Sequence, residues 1–112
     1  MPRDLRKYFY DIEQACKLLA EFTSGKTFAD YTTDAMLRSA VERQFEIIGE
    51  ALSQALRIAP SLAAHISHSS RIIAFRNRLI HGYASVSDEL VWGVVKAHLE
   101  TLRKEVSALL TE

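Results

Sequence analysis

A chain of 112 residues with 14 lysines and arginines, 14 aspartates and glutamates and one cysteine fits a single domain, residues 1–112, with its own core and no need of disulfide or metal staples. Its formal net charge of zero excludes a protein that grips long nucleic acid by charge alone. Cys16 has no partner for an internal disulfide, no paired Cys/His spacing points to zinc, and no apolar run nears the ~18 residues that span a bilayer, so the expectation is a cytoplasmic protein with no metal, no cofactor and no membrane partner.

The opening "MPRDLRKYFYDIEQ" is charged and lacks the apolar centre of a signal peptide. Within and after it, Leu5, Tyr8, Phe9, Ile12, Cys16, Leu19 and Phe22 recur at helical spacing until "TSGKT" breaks the pattern, which predicts an amphipathic helix and then a loop. Thr33 or Asp34 is placed to cap a second helix, whose apolar stripe is Leu37, Val41, Phe45, Ile48, Leu52 and Leu56. Pro60 disfavours the α conformation at Ala59 and stops that helix. At 1.5 Å per residue it is roughly 35–40 Å long. That exceeds what a small bundle needs, so part of its length is expected to pack against a second copy.

"SLAAHISHSS" is small and polar, and reads as a short helical turn and a loop; His65 and His68 lack the neighbouring Cys, Asp or Glu that a metal site there would want. "RIIAFRNRLIHGY" is a third helix that Gly82 is placed to end. In "SVSDELVWGVV", Ser87 caps a fourth helix, with Val86 and Val91 as a hydrophobic staple across its start. Val91, Val95, Leu99, Leu102, Val106 and Leu109 carry its stripe, and Trp92 reads as core or interface. No segment alternates with a period of two, so strands are not required. The expected fold is all-α: a four-helix bundle with a short extra helical turn before the third main helix.

Charge is unevenly distributed. Every Asp and Glu lies at or before Glu50 or at or after Asp88, while the interval between holds Arg57, Arg71, Arg76, Arg78 and three of the four histidines. Within it, "RNRLIHGY" places a planar phosphate-matching guanidinium, Arg76, near His81, a residue type suited to taking or giving a proton. These are a minimal kit for cutting RNA without a metal: the histidine moves a proton at the 2′-hydroxyl or the leaving oxygen, and the arginine stabilises charge on the phosphate. Residues five apart on a helix point about 140° away from each other. Arg76 and His81 therefore converge if the helix loosens, if the arginine wraps round, or if two chains meet across a dimer, which is the arrangement favoured here. Asn77 shares a face with His81 and is expected to orient the imidazole or, with Arg78, to position substrate.

The segment Arg76 to Tyr83, an Arg-x4-His pattern followed by a tyrosine, resembles the active motif of the HepT-like branch of the HEPN superfamily. "RSAVERQFEIIGEAL" is similar to that family's long second helix, and "DELVWGVV" to the start of its fourth. The resemblance implies a dimeric four-helix protein that acts as a metal-independent endoribonuclease, with Arg76 and His81 as the catalytic pair and Asn77 as the polar residue beside them. It also implies the toxin of a toxin–antitoxin system, whose MntA-type nucleotidyltransferase antitoxin adenylylates the motif tyrosine, here Tyr83. Two other readings stand beside it: a catalytically silent helical subunit that binds and positions a nucleotidyltransferase, and a bundle that binds a small nucleotide.

Overall fold

The computed structural model describes residues 1–82 and 86–111. Its elements are α1 (Arg3–Thr23), α2 (Phe28–Thr33), α3 (Ala35–Ile58), a 3-10 helix (Pro60–His65), α4 (Ser69–His81) and α5 (Asp88–Leu110). The all-α bundle of four long helices is borne out, and the 3-10 helix is the extra turn expected before α4.

The core is the sum of the apolar stripes read from the sequence. Phe9, Ile12, Cys16 and Leu19 of α1, Val41, Ile48 and Leu52 of α3, and Val91 and Val106 of α5 are buried in one cluster. The central helix is α3, which packs against α1, α2, α4 and the 3-10 helix, while α1 also packs against α5. Polar ties fasten α5 to α1 at two points: Arg6 Nη2 donates to the carbonyl of Leu110 at 2.8 Å, and Ser107 Oγ to Glu13 Oε2 at 2.8 Å.

Helix boundaries follow local chemistry. Of the two residues placed to cap α3, Asp34 does so, its Oδ1 accepting from the backbone N–H groups of Met36 and Leu37 at 3.0 and 3.1 Å. Ser87 Oγ accepts from the N–H of Leu90 at 3.1 Å at the start of α5, and α3 stops at Ile58, before Pro60. Gly82 ends α4 with φ −135°, donating its N–H to the Arg78 carbonyl at 2.8 Å, so the stop does not use the left-handed conformation.

One helix was not expected. The six residues of α2 are too few to display a 3.6-residue period, and Tyr31 is the one among them that is buried. A capping box starts the helix: Thr27 Oγ1 accepts from the Asp30 N–H at 3.1 Å, and Asp30 Oδ2 accepts from the Thr27 N–H at 2.9 Å. Those hydrogen bonds, the backbone one first, hold the Asp30 carboxyl below its ordinary range. Through α2, Tyr31 stacks on Trp92 at 5.4 Å between ring centres and Thr32 Oγ1 donates to Asp88 at 2.7 Å, covering the start of α5. Trp92 is thereby a core residue.

Candidate active site

The motif helix α4 buries one residue fully, Leu79, and leaves Ile72, Ile73, Phe75 and Ile80 half-buried. It lies against α3 at a place where a side chain is missing. A Cβ added to Gly49 would sit 2.2 Å from the Cβ of Arg76 and 2.6 Å from its Cγ, so the glycine is what lets the stem of Arg76 touch the α3 backbone.

From that seat the guanidinium is held at both terminal nitrogens. Arg76 Nη2 pairs with Glu50 Oε2, and Arg76 Nη1 donates to Asn77 Oδ1 at 2.7 Å. Behind the carboxylate, Gln54 Nε2 donates to Glu50 Oε1 at 3.0 Å. Arg76 Nε is buried and has no hydrogen-bond partner among the described residues. The arginine side chain keeps 24% of its surface exposed and the glutamate 49%. A pair this solvated adds about 1 kcal/mol of stability at most, so its effect is mainly on orientation.

The motif residues do not gather on one side of α4. Arg76 and Ile80 line a groove of about 240 Å³ with Tyr8 and Asp11 of α1 and Glu46 and Glu50 of α3. Arg78 and Arg71 face the opposite way, onto an apolar cleft of about 360 Å³ between α4 and α5 whose lining includes Phe45, Phe75, Val94 and Leu102. His81, the last residue of α4, is exposed and lines neither space. Asn77 is exposed too, with its oxygen engaged by Arg76 rather than by the imidazole. Tyr83 lies outside the described residues.

Folding also tempers the basic interval of the sequence by bringing acids to it from elsewhere. Glu50 meets Arg76, and Glu105 accepts from the backbone and hydroxyl of Ser67 at 3.0 and 2.8 Å. Beside Ser67, His68 sits in the left-handed region at φ 58° with its ring 5.5 Å from that of His98. Among the described residues no three His, Cys, Asp or Glu side chains are grouped to hold a metal ion. Burial pushes the Cys16 thiol up to about 12, so it is no nucleophile near neutral pH. No helix among the described residues is long and apolar enough to cross a membrane.

Gly49, Glu50 and Gln54 were not identified from the sequence. The available signal was "IGEALSQ", an isolated glycine inside a strong helical stripe, followed by an i, i+4 Glu/Gln pair.

The ribonuclease HepT-like family model matches residues 12–109. "Putative RNase MJ1380" of Methanocaldococcus jannaschii is 31% identical, over 93% of this chain and 94% of its own length. "Putative RNase TTE0752" of Caldanaerobacter subterraneus is 30% identical, over 94% and 93%. "Probable ribonuclease HepT" of Thermococcus cleftensis is 32% identical, over 97% and 98%. No solved structure matches the chain.

Proposed function

The chain belongs to the ribonuclease HepT-like family, and on that premise we propose that it is a ribonuclease whose reaction is carried by Arg76 and His81. The observation that supports this most is the seat of Arg76: a guanidinium held at both terminal nitrogens between two packed helices, five residues before an exposed imidazole. In the reaction, the 2′-hydroxyl oxygen of one ribose attacks the adjacent phosphorus and the bond to the 5′ oxygen breaks, leaving a 2′,3′-cyclic phosphate and a 5′-hydroxyl. His81 takes or delivers the proton, Arg76 stabilises the charge that builds on the phosphate oxygens, and Asn77 and Arg78 position the strand. No step in this scheme uses a metal. Because Arg76 and His81 point apart along one helix, two copies of the chain supply the motifs of a shared cleft.

The same reading makes the protein the cytoplasmic toxin of a toxin–antitoxin system. Its partner is an MntA-type minimal nucleotidyltransferase, which transfers the adenylyl group of ATP to the Tyr83 phenolic oxygen and releases pyrophosphate. The added bulk and negative charge repel the RNA backbone. One observation favours a second reading, a catalytically silent subunit that positions the nucleotidyltransferase: Arg76 is already paired within its own chain, as a structural arginine would be.

The test is cleavage of single-stranded RNA in EDTA. Wild type is expected to yield cyclic phosphate ends, Arg76→Ala and His81→Ala each to lose roughly a hundredfold or more in rate, and Tyr83→Phe to cleave but to escape silencing by the antitoxin, ATP and magnesium. An unchanged rate in the His81 variant would transfer support to the silent-subunit reading.

A further inference from the structure

We propose that Glu50 is a positioning residue: it fixes the orientation of the Arg76 guanidinium toward a phosphodiester, and Gly49 and Gln54 make that fixing possible. For the reaction that Arg76 serves, the proposal rests on the ribonuclease reading above. The geometry of the tether is independent of it.

Adjacent residues of one helix hold the two halves of a single side chain. Gly49 accepts the aliphatic stem, since its missing Cβ leaves the space that Arg76 Cβ and Cγ occupy. Glu50, next along the helix, takes the head at Nη2. An arginine has five N–H donors in a rigid fork. In Arg76 the Nε donor is buried, one Nη1 donor is used by Asn77 and one Nη2 donor by Glu50. Among the described residues two donors are left for a phosphate, one on each terminal nitrogen. With Nε unpartnered among the described residues, those two terminal contacts are the hydrogen bonds that orient the fork on its seated stem. The Asn77 contact comes from the adjacent residue of the same helix and moves with it, so the reference frame for the fork is α3, through Glu50.

The arrangement carries a sign that separates positioning from other roles. A carboxylate beside the guanidinium repels a phosphate, so removing it does not weaken RNA binding through charge. What its removal takes away is orientation, and a misplaced charge-stabilising group slows the chemical step. Loss of Glu50 therefore lowers kcat without raising KM. An acid that merely competed with RNA would do the opposite, its removal raising kcat/KM.

Steady-state cleavage of a single-stranded RNA oligonucleotide by the full chain, with melting of each variant as the check on folding, tests this. Glu50→Ala is expected to lower kcat at least about tenfold with KM unchanged or lower, and Glu50→Gln, which keeps the acceptor oxygen and removes the charge, to recover most of the rate. In an Arg76→Ala background, Glu50→Ala is expected to change the residual rate by less than about twofold, because the side chain it orients is gone. A wild-type kcat in Glu50→Ala, a gain in kcat/KM, or an undiminished loss in the Arg76→Ala background overturns the proposal. A second measurement needs no activity: in ¹⁵N–¹H spectra the Nη protons of Arg76 are expected to be resolved in wild type and Glu50→Gln and averaged by rotation in Glu50→Ala. An Arg76 that rotates equally freely in wild type overturns the proposal, whereas wild type that shows the contrast but cleaves no RNA overturns the ribonuclease reading and leaves the tether standing.

Discussion

Helices α1 and α4 both pack against α3, and they are held in different ways. α1 buries seven residues, among them Phe9, Ile12, Cys16 and Leu19, whereas α4 buries one, Leu79. In place of a deep apolar stripe, α4 has a glycine notch, an ion pair and an edge onto an open cleft. Stability therefore resides mainly in the α1–α3–α5 core, and the motif helix is set by a few local contacts. Chemistry can be altered on α4 at a cost the core absorbs.

The sharpest way to break that contrast is to cut into each side equally. Phe9→Ala is expected to cost about 3–5 kcal/mol in urea unfolding, the usual range for a fully buried phenylalanine. Phe75→Ala on α4, half-buried and edge-on to Phe45 at 5.3 Å, is expected to cost clearly less. Equal losses would mean that α4 is as integral to the core as α1.

Next in size is Gly49→Ala. The new methyl meets the Arg76 stem, and overpacking of this kind costs about 1–3 kcal/mol. Relief of the glycine's helix penalty, about 0.5–1 kcal/mol, offsets part of that. The net loss is expected to appear in melting and, more tellingly, in faster amide exchange confined to α4. Exchange that quickens throughout the chain would place the notch in the core rather than at an attachment.

The last effect, read per pH unit, tests the α1 side. Cys16 is raised by burial from an ordinary value of 9.0 to about 12, so the folded state holds its proton more tightly than the unfolded state does. Its contribution is complete below pH 9 and is lost as pH rises from there toward 12. The alkaline slope of stability contains a share of up to about 1.4 kcal/mol per pH unit from this thiol. Cys16→Ala is expected to flatten that slope between pH 9 and 11 while lowering stability overall. An unaltered slope would mean that Cys16 ionises freely in the folded chain.

These two regions were not equally legible in the sequence. The stripes of α1, α3 and α5 are long enough for their period to dominate, and the caps at Asp34 and Ser87 rest on short-range hydrogen bonds that side-chain type alone announces. α2 escaped notice because six residues span fewer than two turns. The motif on α4 was visible as residue types, and the divergence of Arg76 and His81 follows from helical geometry. The partner of Arg76 was not visible, because Glu50 lies 26 positions away and a glutamate in an amphipathic helix looks like solvated surface. Only packing turns Gly49 from a weak point in a helix into the reason Glu50 can reach its target.

Because neighbouring positions of α3 hold the stem and the head of one arginine, the rotational phase of α3 against α4 is locked at Gly49. A single residue inserted between Asp34 and Gly49 would turn one end of α3 by about 100° relative to the other and advance it about 1.5 Å. Either the Leu37–Val41–Phe45 stripe or the notch would then leave its place. Insertions and deletions are accordingly expected to be tolerated in the segments flanking α3, before Asp34 and beyond Pro60, and the stretch between is expected to accept substitution only.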